Sequence, residues 1–181
     1  MSDKVRSVVQ SIAVLACIAL VCGLVLGAVN HFTYVDPLQT TLDGSKSDSG
    51  AEGEFTMVVE DETAVEGASG SIVYYAVSTD GVHAFLASAI SQYGGEFQVY
   101  VYIRDAKIYK IAAGENGDTF VDRLEAANFY AEFYDKDLAD FDPLSVSGVS
   151  GATYSSNAVK NAVNAVVLYY NRNVAGGENN G

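Results

Sequence analysis

The chain has 181 residues, of which 23 are acidic and 10 basic, giving a formal net charge of −13 at pH 7. The length accommodates one domain of ordinary size with appendages, and the acidic balance argues against binding to nucleic acid or anionic lipid headgroups. Cys17 and Cys22, the two cysteines, lie in an apolar N-terminal run, so the rest of the chain has no thiol for a disulfide or an iron–sulfur cluster. His31 and His83 are too far apart in the sequence to suggest a zinc site.

No Asp, Glu, Lys or Arg occurs between Arg6 and Asp36. Within that gap, residues 8–29 (VVQSIAVLACIALVCGLVLGAV) as a helix would span roughly 30 Å, the thickness of the hydrocarbon core of a bilayer. We therefore predict a cytoplasmic N-terminus and a transmembrane helix in residues 1–31. A cleaved signal peptide is the alternative, but its apolar region normally has about 7–15 residues, and this run is longer.

The charges on either side of this span predict its orientation. Lys4 and Arg6 precede it, whereas the first cation after it is Lys46. By the positive-inside rule, the N-terminus is cytoplasmic and the rest of the chain is exported as a single-pass protein. Gly23 and Gly27 form a GxxxG pattern, which lets a second helix approach closely in the membrane.

Composition divides the exported part into a linker and a folded domain. Residues 40–54 (TTLDGSKSDSGAEGE) contain Gly, Ser, Asp and Glu with scarcely an apolar residue, which is typical of a mobile linker. We therefore assign residues 32–54 to a linker, 55–175 to the folded domain and 176–181 to a flexible tail. The part after the first 31 residues has 22 acidic and 8 basic residues, a formal charge of −14.

Short apolar runs predict four or five strands in the folded domain, namely FTMVVE, SIVYYAV, VHAFLASAI, FQVYVYIR and KIYKIAA. Asp105 and Ala106 join the last two runs as a hairpin, and Tyr93-Gly94-Gly95 turns the chain before FQVYVYIR. The fold class is therefore α+β, with an N-terminal transmembrane helix followed by one exported domain that has a mostly antiparallel sheet and packed helices.

Two helical segments follow the strands. Residues 118–132 carry apolar residues at helical spacing, with Asp118 or Thr119 as a possible cap, and are predicted to form one helix with a break. Residues 158–170 place Ala, Val and Tyr on one face and Lys and Asn on the other. This pattern predicts an amphipathic helix packed on the sheet.

The stretch SGVSGATYSSNAVK, residues 147–160, leads into this last helix. It has a purely structural explanation, in which Gly148 and Gly151 form a turn and Ser155, Ser156 or Asn157 caps the helix. The same features also suit an anion, because a helix N-terminus presents free N–H groups and glycine lets the backbone approach a phosphate closely. The stretch does not match a Walker loop or a dinucleotide-binding GxGxxG.

Residues 150–159, SGATYSSNAV, resemble the SGATxSSxAV segment of the FMN-binding domain family. That domain occurs in the G subunit of the Rnf ion-translocating ferredoxin:NAD oxidoreductase, which the chain resembles most, and in the C subunit of the sodium-pumping NADH:quinone reductase. The anchor, the YGG turn before a strand and the DAKI hairpin (residues 105–108) follow the order of the family. In the family, a flavin transferase esterifies the Thr of SGAT with the phosphate of FMN, which implies covalent FMN on Thr153 here.

The resemblance also implies the surroundings of the cofactor. Besides Thr153, the residues expected near the phosphate or the ring are Ser150, Gly151, Ala152, Ser155, Ser156, Tyr93 and Tyr154. No catalytic residue and no metal are expected, because the flavin itself carries the electrons and the domain supplies attachment and position.

The function implied by the resemblance is that of a membrane-anchored electron-transfer flavoprotein in a redox-driven ion-translocating complex of a prokaryotic cell membrane. Its partners would be the other membrane subunits and the flavin transferase. Two alternatives stay open: a related flavoprotein that feeds an extracytoplasmic reductase, and a flavin-free anchored domain for binding or assembly. Two departures from the family pattern favour the latter, Ser147 in place of an Asp and AAGENGDTF (residues 112–120) in place of HxETPGLG.

Overall fold

The computed structural model describes residues 3–33, 37–92 and 95–176. The chain forms two compact units, Met1–Thr40 and Thr41–Gly181. The first unit contains a long apolar helix, and the second contains an antiparallel sheet with helices packed on it. The α+β class and the N-terminal apolar helix are therefore confirmed.

Helix α1 (Asp3–Thr33) dominates the first unit. Within the described residues, it provides the helical segment that is long and apolar enough to cross a membrane, and none of its most apolar stretch is buried. A helix with apolar side chains exposed on every side is typical of a segment surrounded by lipid. The structure is thus consistent with a membrane anchor at the N-terminus.

The second unit is built on a sheet that matches the five predicted runs. Its strands are β1 (Phe55–Val59), β2 (Thr63–Ala64), β3 (Gly70–Ser78), β4 (His83–Ser91), β5 (Gly95–Arg104) and β6 (Lys107–Asn116). The order across the sheet is β1-β3-β4-β5-β6, with the short β2 also paired to β3, and every pairing is antiparallel. The predicted hairpin is confirmed, because Asp105 and Ala106 have φ values of 52° and 55°, as in a two-residue type I′ turn.

A helical layer covers one face of this sheet. It consists of α3 (Val121–Ala126), a 3-10 helix (Phe129–Phe133) and α4 (Thr153–Tyr170). The predicted break lies at Asn128, whose φ of 52° ends α3 before the 3-10 helix begins. The predicted amphipathic helix is α4. The fully buried side chains between α4 and the sheet include Phe85, Val99, Val101, Ile103, Ala162, Val163 and Val166.

The opposite face of the sheet is partly covered by a segment that composition assigned to the linker. The segment forms helix α2 (Pro37–Ser49), and its residues 41–49, which belong to the compact second unit, lie on this face. Leu42 packs against the apolar cluster on this face, and Ser45, 1% exposed, lies with its Oγ 2.8 Å from the Tyr74 hydroxyl. The difference arises because sheet tyrosines give this segment polar partners: Tyr74 pairs with the Ser45 hydroxyl, and Tyr109 OH donates to Ser49 O at 3.0 Å. The role of residues 32–54 as a connection to the anchor stays a prediction.

Candidate functional site

A loop and the first turn of α4 form the candidate site. A 3-10 turn at Pro143–Ser145 precedes the loop, and Gly151 has a φ of 78°, in the left-handed region that favours glycine. Ala152 N donates a hydrogen bond to Val149 O at 3.0 Å, which closes the loop just before the helix. Helix α4 then begins at Thr153.

Thr153 is exposed to solvent, as are Ser150 and Gly151 on its N-terminal side. The N-cap residue of α4 is Ala152, which is 1% exposed and makes no side-chain hydrogen bond to the first turn. The positive end of the helix dipole is therefore not capped by the side chain at the usual position. The exposed side chain of Thr153 stands at this end of the helix.

Ser155 and Ser156, predicted as helix caps or as contacts of a phosphate, are fully buried. Ser156 Oγ donates to Ala152 O at 2.8 Å and accepts from Val149 N at 2.9 Å, so it fastens the loop to the helix. Ser155 Oγ donates to Asp118 Oδ2 at 2.8 Å. Both serines lie within the first turn rather than before it, and neither faces the solvent. In this structure both hydroxyls bond within the domain, and their predicted place near a phosphate stays a prediction.

Asp118 anchors this end of the domain. Its Oδ2 accepts hydrogen bonds from Ser91 Oγ at 2.6 Å and from Ser155 Oγ at 2.8 Å, and its Oδ1 accepts from Phe120 N at 2.9 Å. Burial alone would raise the pKa of the Asp118 carboxyl, but these hydrogen bonds to the charged form outweigh it and lower the pKa below its ordinary value. The sequence predicted Asp118 as a helix cap, and in the structure its carboxylate instead joins β4, the residue preceding α3, and α4.

Arg123 is the residue at this site that sequence reasoning missed. Its Nη1 donates to Gly151 O at 3.1 Å, and its guanidinium lies 5.5 Å from the centroid of the Phe120 ring. A Cβ built at Gly151 would come within 2.3 Å of Arg123 Nη1, so the absence of a side chain at Gly151 leaves the space that the guanidinium occupies. No local motif marks Arg123, because its contact with Gly151 joins residues 28 positions apart.

The two tyrosines expected near the ring have different outcomes. Tyr154, next to Thr153, is 39% exposed and offers an aromatic surface at the helix start. Tyr93 lies outside the described residues.

Ser147, which stands where the family has an Asp, is exposed, and the nearby Asp142 accepts a hydrogen bond from Leu144 N at 2.9 Å at the start of the 3-10 turn.

Comparison with known proteins assigns a ligand class to this region. Residues 92–167 match the family model described as the FMN-binding domain. No curated protein and no solved structure matches the chain significantly. The matched segment includes β5, β6, α3 and most of α4, and with them Asp118, Arg123, Gly151 and Thr153. Over residues 92–167 the chain is therefore similar to the FMN-binding domain family, which indicates a flavin-binding protein and supports FMN as its cofactor.

Proposed function

We propose that this chain is a membrane-anchored electron-transfer flavoprotein that carries FMN covalently on Thr153. The observation that carries the proposal is the position of Thr153. It is the exposed first residue of α4, and it lies inside the segment similar to the FMN-binding domain. In the described part of that segment, Ser150 and Thr153 are exposed hydroxyl residues on the two sides of Gly151 and Ala152, and Thr153 alone is at the helix terminus.

The residues present fit a phosphate ester at this position. Gly151 is exposed, and its lack of a side chain leaves the space in which the Arg123 guanidinium lies. The start of α4 has no side-chain cap, and such helix starts favour negative charge. Arg123 adds a cation beside the same loop. An anionic group attached to Thr153 would therefore meet favourable charge from the helix start and from Arg123.

The attachment requires a phosphoryl donor with an activated bond. Thr153 Oγ forms the new bond to the flavin phosphorus, the pyrophosphate bond of a flavin dinucleotide breaks, and a nucleoside monophosphate leaves. The hydroxyl proton passes to a base of the flavin transferase, because Asp118, the buried carboxylate at this end, is already engaged in hydrogen bonds with Ser91 and Ser155. When bound, FMN supplies one- and two-electron redox chemistry.

Helix α1 supports the membrane anchor, and the sequence resemblance supports the assembly. Helix α1 is apolar enough to hold the chain in a membrane, and the charge of its flanks favours a cytoplasmic N-terminus. We assign the chain to a redox-driven ion-translocating complex in a prokaryotic cell membrane, where it would relay electrons between other membrane subunits, as in the Rnf complex that its sequence resembles. A flavoprotein serving an extracytoplasmic reductase would have the same site and differ only in the proteins recovered with it.

The test is covalent flavin on the denatured protein. The chain is produced together with a flavin transferase, separated under denaturing conditions and viewed under ultraviolet light. We expect a fluorescent band, and a peptide containing Thr153 whose mass is raised by one FMN less water. Thr153→Ala should remove both signals, whereas Ser150→Ala, which removes the exposed hydroxyl three residues earlier, should retain them.

Two outcomes would overturn the proposal. In the first, the wild-type chain carries no covalent flavin although the same transferase labels a second substrate in parallel. The function would then be that of a flavin-free binding or assembly domain. A Thr153→Ala variant that keeps the label would place the attachment elsewhere. Urea unfolding of Thr153→Ala controls for misfolding. Loss of an exposed hydroxyl that makes no capping bond should lower the unfolding free energy by no more than about 0.5 kcal/mol.

A further inference from the structure

We infer that Arg123 holds the phosphate of the flavin attached to Thr153 and so acts as a positioning residue for the cofactor. This inference rests on the proposed attachment of FMN to Thr153. It assigns to Arg123 a role that neither its local sequence nor the similarity to the FMN-binding domain specifies.

The first support is the place of the guanidinium. Arg123 Nη1 is 3.1 Å from Gly151 O, two residues before Thr153, and it occupies the space next to the Gly151 Cα. Arginine presents five N–H donors in a planar fork. One donor binds Gly151 O, and the others have no hydrogen-bond partner among the residues that the structure describes, so they can bind a phosphate linked to the next turn of the chain.

The second support is that no ion pair within the described residues includes Arg123. Residues 32–181 contain 22 acidic and 8 basic residues, so a cation in this unit has many carboxylates available as partners. Ion pairs within the described residues join Lys46 to Glu54 and Arg104 to Asp80, and none includes Arg123. The exposed guanidinium therefore keeps an unneutralised positive charge beside the proposed attachment point. A phosphodiester carries one negative charge, which this guanidinium would complement.

The third support is the way in which Arg123 is held. Its guanidinium lies over the Phe120 ring, and Phe120 N donates to Asp118 Oδ1. The other oxygen of the Asp118 carboxylate accepts a hydrogen bond from Ser155, two residues after Thr153. One carboxylate thus holds both the backbone of Phe120, whose ring lies under Arg123, and the helix turn that bears Thr153. The two groups are positioned relative to each other before any ligand arrives.

The experiment compares Arg123→Gln, Arg123→Lys and Arg172→Gln in the full-length chain. Arg172 is the matched control, because its Nη1 also donates to a backbone carbonyl, Glu66 O at 2.7 Å, but it lies beyond the other end of α4. A helix of 18 residues places the two ends roughly 25 Å apart. The initial rate of flavin attachment is measured by intact mass, and the phosphodiester of the loaded protein is observed by 31P NMR.

We expect Arg123→Gln to slow attachment about tenfold or more, the usual effect of losing a hydrogen bond to a charged group. Arg123→Lys should recover much of the rate, because lysine also binds phosphate, as a point charge. The 31P resonance of loaded Arg123→Gln should be displaced from that of the wild type, and Arg172→Gln should match the wild type in both measurements. An undisplaced 31P resonance in Arg123→Gln would overturn the inference even if attachment were slower. Arg123 would then contact the transferase and not the attached phosphate.

The two proposals fail in different ways. If the wild-type chain takes up no flavin, the attachment to Thr153 is wrong. If the wild-type chain is labelled on Thr153 while Arg123→Gln has the same rate and the same 31P resonance, the attachment stands and the role of Arg123 is wrong.

Discussion

Ser155 and Asp118, 37 residues apart in the chain, are joined by a hydrogen bond of 2.8 Å from the serine hydroxyl to Asp118 Oδ2. Both side chains are buried, and the same carboxylate oxygen also accepts a hydrogen bond from Ser91 at the end of β4. Through this carboxylate, the start of α4 is fixed to the sheet. The position of Thr153 therefore depends on a contact formed by residues that face away from solvent.

Replacing Asp118 by Asn should destabilise the folded chain. The variant loses a buried charge that accepts three hydrogen bonds, and hydrogen bonds to charged groups contribute about 1.5–3 kcal/mol each. We expect a loss of at least about 2 kcal/mol in urea unfolding of the detergent-solubilised chain, on the scale of such buried polar changes. Asp142→Asn is the control, because exposed Asp142 likewise accepts from the N–H two residues on, and it should change stability by no more than about 0.5 kcal/mol.

The same variant should change the pH dependence of stability. The hydrogen bonds lower the pKa of Asp118 in the folded state, so its contribution is fully present above the unfolded pKa of about 3.9 and is lost as pH falls through the folded value. The difference in unfolding free energy between the wild type and Asp118→Asn should therefore be constant from neutral pH to about pH 5 and shrink below about pH 4. A difference that grows on acidification would contradict this assignment.

Gly151→Ala should separate a backbone effect from an effect on Arg123. A left-handed φ costs an L-residue about 1–2 kcal/mol, and the new Cβ would also displace the Arg123 guanidinium. Gly81→Ala is the control, because Gly81 has a similar φ of 81° and an added Cβ would meet nothing within 4 Å. Both variants should lose similar stability in urea unfolding, but only Gly151→Ala should slow flavin attachment. Equal attachment rates would show that the crowding at Arg123 has no functional consequence.

Tyr102→Phe should leave the chain as stable as the wild type or more stable by up to about 1 kcal/mol, because removing a buried hydroxyl that lacks a partner relieves its desolvation cost. Tyr102 is fully buried, and its OH has no hydrogen-bond partner among the described residues. The matched variant is Tyr74→Phe, which leaves the buried Ser45 hydroxyl without its 2.8 Å partner and should lose about 1–2 kcal/mol. Urea unfolding measures the unfolding free energy of both variants. A larger loss of stability in Tyr102→Phe than in Tyr74→Phe would contradict this prediction.

Protease treatment of intact spheroplasts tests the topology. If the flanking charges orient α1 as expected, the acidic unit is exposed outside and is released by added protease. Because residues 41–49 pack on the sheet, the released fragment should begin before Thr41. Digestion only after the membrane is permeabilised would show the opposite orientation, with the acidic unit in the cytoplasm. A mature N-terminus found after Gly27 in untreated cells would identify α1 as a cleaved signal.

The GxxxG pattern predicts a neighbouring helix in the membrane. Gly23→Leu with Gly27→Leu would place bulky side chains where an added Cβ now meets nothing within 4 Å. We expect this pair to reduce recovery of partner subunits in detergent, because a close helix approach needs small residues. Val21→Leu with Val25→Leu alters the opposite face of the helix and should leave recovery unchanged. Equal recovery of partner subunits with both double variants would show that the GxxxG pattern does not contact a partner helix.

The sequence by itself determined the elements whose residues carry their own pattern. The apolar run of α1, the five main strands and the Asp105-Ala106 turn were all predicted from local composition, because an uninterrupted apolar run favours a helix in lipid and short apolar runs between turn residues favour strands. The SGAT segment was likewise marked by a motif, and Thr153 was assigned from it.

Only the tertiary structure decided how distant segments meet. Helix α2 arises in a Ser- and Thr-rich segment that local propensity does not favour, because it packs against Tyr74 and the apolar cluster of the sheet. The sequence does not predict the contact of Arg123 with Gly151, nor that of Asp118 with Ser155. These pairs depend on the register of the strands and the docking of α4, which sum many weak contacts across the whole core and leave no periodic signal near any one residue.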